Sequence, residues 1–298
     1  MYRVAQFSDT HFALKGNRSH GGFGYDTDLA WQRVSTQAFT NNSSFDAAVI
    51  TGDLVDHGLP AEYDHALGLL QSIPVSTNLV PGNHDFDAPL RSSVAGSKLA
   101  MERELRVGPW QFLFADTNGE FGETEERVTS NGRLSEDELD WLNTALSKTD
   151  AKYSWLWMHH PPAMAGTWAH CEELDDQLEA LVTGHSSVQG IGAGHVHMKD
   201  TRMLGGKPVV TCPAFTINFD LGALTTKPPG WRSWNFHDDG TFDTECHFVD
   251  EEDAWPVFDL PQPVIDYQLG KSNWHEMQAY MEELMAMLSS DPAPPASG

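Results

Sequence analysis

Five short stretches carry residue types that hold metals. Asp9 and His11 lie in SDTH, Asp53 and Asp56 in TGDLVD, and Asn83, His84 and Asp85 in PGNHD. His159 and His160 lie in MHHPP, and His195 and His197 in AGHVH. Singly these are weak signals, because a lone histidine after a strand is usually a satisfied core or surface residue. Jointly they are hard to explain by packing. A core gains nothing from so many desolvated imidazoles and carboxylates unless a cation satisfies them. The GHVH pair adds geometry, since alternation on an extended segment points both imidazoles to one side.

Asp9, His11, Asp53, Asn83, His159, His195 and His197 are too many donors for one tetrahedral ion. A carboxylate such as Asp53 can bridge two ions about 3.5–4 Å apart. Mixed imidazole and oxygen donors suit Mn, Fe, Zn or Co better than Ca or Mg alone. The expected cofactor is therefore two divalent transition-metal ions.

Each cluster directly follows an apolar run. The runs RVAQF (3–7), AAVIT (47–51), TNLV (77–80), WQFLFA (110–115), SWLWM (154–158) and VQGIGA (188–193) read as buried strands. Helix candidates sit between them at 27–40, 60–72, 135–147 and 172–183, the third opening on a capping box from Ser135 to Glu138. This alternation predicts an α/β fold. In such sheets ligands bind outside the carboxyl ends of the strands, so a shared edge brings the clusters together. After residue 198 strands and turns predominate (DTRMLGG, KPVVTCPA, WRSWNF, TFDTECHFV), read as completing a two-sheet core and not as a separate domain.

The expected organisation is a catalytic domain over 1–253, a C-terminal extension over 254–290 and a disordered tail over 291–298. Residues 254–272 are Pro-rich and expected to be extended. Trp274, Met277, Met281, Leu284 and Leu288 then recur at helical spacing. That stripe is expected to dock on its own domain, with a homodimer contact as the alternative.

The 298 residues hold 18 basic and 43 acidic side chains, a net charge of −25. Such a surface repels nucleic-acid backbones and anionic lipid, which argues against a polymer substrate or a membrane partner. No uncharged apolar run is long enough to span a bilayer, and the opening MYRVAQFSD reads as a strand, not a signal peptide. Three scattered cysteines fit a reducing compartment, so a cytoplasmic protein is expected.

The order D-x-H, G-D-x-x-D, G-N-H-D, H-H-P-P, G-H-x-H over residues 9–197 resembles the calcineurin-like metallophosphoesterases. HHPP, TCPAFTINFD and KPPGWRSWNFHDDG resemble the class III cyclic-nucleotide phosphodiesterase branch, of the bacterial cyclic-AMP type. The resemblance implies a four-layer α/β/β/α sandwich with two mixed β-sheets. It implies one metal on Asp9, His11, Asp53 and His197, and another on Asp53, Asn83, His159 and His195. His84 would face the leaving group. Of the adjacent pair, His159 is then the ligand and His160 a supporting residue. Asp56 and Asp85 are expected to orient ligand imidazoles.

The implied activity is hydrolysis of small phosphodiesters, 3′,5′-cyclic nucleotides foremost, by attack of a metal-activated hydroxide. A glycerophosphodiesterase or broad-specificity phosphodiesterase is the rival reading, and a non-catalytic scaffold on the same fold a remote one. The neutral amide of Asn83 fits a diesterase. Two divalent ions less Asp9, Asp53 and one hydroxide leave about +1, which an aspartate at 83 would cancel. The loop 17–25 is a candidate pocket border, and Phe215, Phe219 and Trp168 are candidate base-stacking residues. His20, His57, His170, His237 and His247 lie in no motif and are read as surface or structural.

Overall fold

The structure, a computed structural model, describes residues 1–14, 26–40, 44–119, 131–250, 255, 257–277 and 279–280. Two six-stranded mixed sheets pack against each other. The first contains β1 (Tyr2–Phe7), β2 (Ala47–Thr51), β3 (Ser76–Val80), β4 (Leu99–Ala100), β13 (Gly230–Phe236) and β14 (Phe242–Phe248), in the order β14-β13-β1-β2-β3-β4. The second contains β5 (Glu104–Val107), β6 (Trp110–Phe114), β7 (Tyr153–Trp157), β8 (Val188–Ala193), β9 (Thr201–Leu204) and β10 (Lys207–Thr211), in the order β5-β6-β7-β8-β10-β9. A small hairpin pairs β11 (Asn218–Asp220) with β12 (Thr225–Lys227).

Within the first sheet β1, β2 and β3 run parallel, as do β6, β7, β8 and β10 in the second. Parallel strands covered on both faces are continuously apolar, which is why AAVIT and WQFLF are buried at every position. Val4, Val49, Val80, Trp234 and Phe236 of the first sheet interleave with Phe112, Trp155, Trp157 and Val210 of the second. Helices α1 (Thr27–Thr40), α2 (Pro60–Leu70) and α3 (Asp87–Val94) cover the outer face of the first sheet through Trp31, Val34, Tyr63, Leu70 and Leu90. Helices α4 (Glu136–Lys148) and α5 (Glu172–Gly184) cover the second through Leu142, Leu146, Leu174 and Leu178. The result is the four-layer α/β/β/α sandwich, with β9, β10, β13 and β14 completing its sheets.

The C-terminal stretch departs from expectation. Residues 254–272 do not run extended throughout: Gln262–Gln268 forms a helix, α6. Pro261 precedes it and Pro263 lies in its first turn, where the missing N–H breaks no helical bond. The prolines therefore start a helix. Pro89 in the first turn of α3 concealed that helix in the same way. Trp255 is fully buried in the core under the first sheet. Helical backbone resumes at 274–277, where Met277 is buried on its own chain. Met281, Leu284 and Leu288, the tail, and the loop 17–25 lie outside the described residues.

The inter-sheet contact centres on Trp234, whose ring lies 5.0 Å from Trp155 and 5.4 Å from Trp157. Its indole N–H donates to Gln6 Oε1 over 2.9 Å. Trp234→Ala should cost about 3–5 kcal/mol of stability, from lost packing and a cavity. Urea unfolding followed by far-ultraviolet circular dichroism measures it. A loss under 1 kcal/mol would mean the sheets are held together elsewhere.

Candidate metal centre

Five parallel strands end at one edge of the sandwich, and each hands its chain to a ligand loop. β1 leads to Asp9 and His11, β2 to Asp53, β3 to Asn83, β7 to His159 and β8 to His195 and His197. The backbone there is unusual. Asp9 (φ 53°), His11 (43°), Asp53 (51°), His195 (71°) and His197 (49°) all adopt left-handed φ. They account for five of the seven non-glycine residues that do so among the described residues. Such conformations cost roughly 1–3 kcal/mol each and persist only where surroundings over-determine them.

The surroundings are the loops themselves. Asp9 N–H donates to Gly52 O and His11 N–H to Asp53 O, each over 3.0 Å. His195 N–H reaches both oxygens of Asp9 at 3.0 Å, joining the two sheets, and His84 N–H donates to Asp53 Oδ1 over 2.9 Å. These approaches are too close for a side chain at two positions. A Cβ on Gly82 would stand 2.1 Å from Asp53 Oδ1, and one on Gly194 1.9 Å from Ser8 Oγ.

The side chains converge in two overlapping groups. In one, His11 Nε2 lies 3.2 Å from His197 Nε2 and 3.6 Å from Asp53 Oδ2, and His197 Nε2 lies 3.5 Å from Asp9 Oδ1. In the other, His159 Nε2 lies 2.9 Å from Asn83 Oδ1, 3.2 Å from His195 Nδ1 and 3.3 Å from Asp53 Oδ2. Asp53 Oδ2 belongs to both. All seven residues are buried. These separations match the edges of a coordination shell whose bonds are about 2.0–2.2 Å long.

Hydrogen bonding on the far side of each ring supports this fit. His159 Nδ1 lies 2.8 Å from Thr51 O and His197 Nδ1 3.2 Å from Ile217 O, both carbonyl acceptors. His11 Nδ1 lies 3.1 Å from Asp56 Oδ1, a carboxylate. These oxygens favour the proton on Nδ1, so each ring, when neutral, turns its Nε2 lone pair inward. Lone pairs facing one another in a buried space call for a cation. The donor set therefore fits two ions, one on Asp9, His11, Asp53 and His197, the other on Asp53, Asn83, His159 and His195.

The supporting residues divide differently from expectation. Asp56 does face a ligand imidazole. Asp85 instead gathers backbone donors, from Gly82 at 3.0 Å, Leu54 at 3.1 Å and Val55 at 3.4 Å, and so ties two ligand loops together. His160 lies behind the ligands with Nδ1 2.8 Å from Thr117 Oγ1. His84 is half-buried at the rim, and its Nδ1 lies 2.8 Å from Asp56 O.

His57, read as surface or structural, supports this shell from its partly exposed edge. Its Nδ1 lies 2.8 Å from Glu62 Oε1 and its Nε2 3.4 Å from Asp56 Oδ2, the carboxylate that faces His11. The sequence signal was a carboxylate at the start of the next helix, indistinguishable from a capping residue. Phe215 is core, stacked on Trp31, and Phe219 is buried. Trp168 stays half-exposed, its ring 4.9 Å from that of His195.

Protons compete with cations here. Burial disfavours a charged His159, but Asp53, Asp9 and the Thr51 carbonyl together lift it to about 9. Burial pushes Asp9 up to about 6. His159 must lose its proton before Nε2 can bind a metal, so affinity should fall as pH drops below about 9. It should fall more steeply below about 6, where Asp9 also takes a proton. Adding Mn²⁺ to metal-free protein at neutral pH should release at least one proton. Calorimetry in two buffers of different ionisation enthalpy counts it, and proton-neutral binding would mean that His159 is already neutral in the metal-free protein.

Comparison with known proteins bears on the family. The chain is 28% identical over 253 residues to the 3′,5′-cyclic adenosine monophosphate phosphodiesterase CpdA of Escherichia coli strain K12, covering 82% of this chain and 89% of that protein. It is 29% identical over 210 residues to a probable cyclic nucleotide phosphodiesterase of Synechococcus, covering 70% and 78% respectively. Among solved structures, a dimetal phosphatase from Danio rerio shares the fold with a TM-score of 0.59 at 17% identity, covering 78% of this chain and 92% of its own. The calcineurin-like phosphoesterase family matches residues 2–199, a span that contains every ligand described above. With that span, about two thirds of its length, the chain belongs to the calcineurin-like phosphoesterases.

Proposed function

We propose that this protein is a dinuclear-metal phosphodiesterase acting on 3′,5′-cyclic nucleotides, opened to the nucleoside monophosphates. The observation that carries the reading is the buried seven-donor cluster with one half-exposed histidine, His84, at its rim. Its relatives named as cyclic-nucleotide phosphodiesterases span most of the chain and support the substrate class. Metal ions bound there supply Lewis acidity to phosphoryl oxygens and lower the pKa of bound water toward 7.

The remaining work falls to the chain. Asp53 Oδ2 faces both donor groups and would hold an ion in each, while its Oδ1 fixes the backbone of His84. Asn83 donates an oxygen without a charge, leaving the centre attractive to a monoanionic diester. His84 Nδ1–H is committed to Asp56 O, so only the doubly protonated ring has an Nε2–H free to hydrogen-bond the phosphoryl group or to pass to the departing alkoxide, which leaves the ring neutral. No protein nucleophile is required. The three cysteines are free, which fits a reducing, cytoplasmic setting.

His84→Ala should lower kcat by about 10²–10⁴-fold while both metals stay bound. Parallel loss of metal would make His84 a ligand instead. Substrate class is settled by supplying Mn²⁺ to metal-stripped protein and comparing 3′,5′-cyclic AMP with a glycerophosphodiester and a bis-aryl phosphodiester. Metal-dependent turnover of cyclic AMP well above the others is the expected result. Turnover of the others alone would transfer the protein to the glycerophosphodiesterase or broad-specificity reading. No turnover of any would favour a scaffold.

A further inference from the structure

His195 differs from the other ligand imidazoles in how it is held. His159 and His197 each place the nitrogen opposite the metal position against a carbonyl, and His11 places its own against Asp56. Such contacts fix ring orientation in metal sites. His195 turns Nδ1 inward, 3.2 Å from His159 Nε2, and its Nε2 is buried with no hydrogen-bond partner among the described residues. Rings surround it instead. His159 lies 5.0 Å away, His160 4.4 Å and Trp168 4.9 Å, at interplanar angles of 72°, 62° and 50°.

Two of these walls follow directly from β7 and are fixed by it. Trp168 sits farther on, in the loop before α5, and takes its position from the C-terminal segment. Its ring stacks on Tyr267 at 5.2 Å and 20°, and its indole N–H donates to Gln268 Oε1 over 3.1 Å. Its carbonyl accepts from Asn131 Nδ2 over 2.8 Å. Tyr267 is backed in turn by Trp274, at 6.0 Å. Beyond α6 the chain turns at Gly270 (φ 65°), where a Cβ would lie 3.1 Å from Thr167 O. Val264 and Ile265 anchor α6 against Ile217 and Phe219.

We infer that Trp168 is the positioning residue of His195, taking by ring packing the place that a hydrogen bond takes for the other imidazoles. The C-terminal segment 262–274 is then part of the metal centre, because it holds Trp168 in place. This rests on the two-metal reading and deepens it. It also gives the extension a role in metal retention at the position made by Asp53, Asn83, His159 and His195. The position of Asp9, His11 and His197 does not depend on Trp168.

The test measures metal content and affinity, with Mn²⁺ and with Co²⁺ as a spectroscopic probe, on the full chain and on Trp168→Ala, Trp168→Phe and Tyr267→Ala. Wild type should bind two ions. Trp168→Ala should weaken one of them by about 10–100-fold, the usual size of an outer-shell loss, leave the other unchanged and alter the Co²⁺ absorption of the weakened site. Trp168→Phe keeps a ring against His195 and should restore most of that affinity. Tyr267→Ala should reproduce the loss more mildly, because it acts through Trp168. Far-ultraviolet circular dichroism monitors folding of each variant. Unchanged affinities in folded Trp168→Ala, or no rescue by phenylalanine, would overturn the assignment. Equal weakening of both ions would mean a general structural role and would overturn it as well. Fewer than two ions on wild type would overturn the two-metal reading first, and this inference with it.

Discussion

The structure is organised around a repulsive arrangement: two carboxylates and four inward lone pairs meet in a buried space a few ångströms across. Asp53 Oδ2 lies within 3.6 Å of His11 Nε2 and within 3.3 Å of His159 Nε2, so it is the joint between two donor groups. Neither sheet supplies the set alone. The first gives Asp9, His11, Asp53 and Asn83, and the second gives the histidines at 159, 195 and 197. The sheets must therefore meet in register, and the polar contacts beneath the site serve that end. Gln6 donates to Thr51 Oγ1 over 3.0 Å and to Ala193 O over 3.2 Å, linking the strands that lead to Asp53 and His195. The His195 N–H bonds to Asp9 make the same link one level higher.

Such a site opposes folding. Five left-handed residues, desolvated carboxylates and close backbone approaches at Gly82 and Gly194 all raise the energy of the native chain. The favourable side comes from three apolar layers, one between the sheets and one under each set of helices. This division of labour explains the sequence pattern. Strand interiors are continuously apolar and carry stability, and the few residues past each strand end carry chemistry.

That pattern is also why so much could be read in advance. Apolar runs predicted β1, β2, β3, β6, β7 and β8 within a residue or so at each end, and helical periodicity found α1, α2, α4 and α5. The clustered donors were visible because histidine, aspartate and asparagine are uncommon at strand ends, and five coincidences are improbable. What stayed hidden has no such signature. β4, of two residues, and the β11–β12 hairpin exist through tertiary pairing alone. Proline disguised α3 and α6. Asp85 follows the motif but serves backbone amides, and its sequence looks the same either way. Glu62, His57 and Trp168 reach the site through folding. Glu62 comes from the start of α2, and Trp168 is placed by a segment 100 residues later.

The electrostatics bear on which phosphodiesters this centre suits. A chain of net charge −25 looks ill matched to an anionic substrate. The mismatch depends on scale. At physiological ionic strength charges separated by more than about 8 Å in water are largely screened from one another, whereas groups in a buried cluster interact nearly unscreened. A small diester with one negative charge would respond mainly to the centre itself, where Asn83 and neutral imidazoles would add no negative charge to that of Asp9 and Asp53. A nucleic-acid strand would extend many screening lengths across the acidic surface, each phosphate adding repulsion. It would also gain none of the counterion release that drives polymers onto basic proteins. On these terms a carboxylate-rich surface opposes a long polyanion far more than it opposes a small diester.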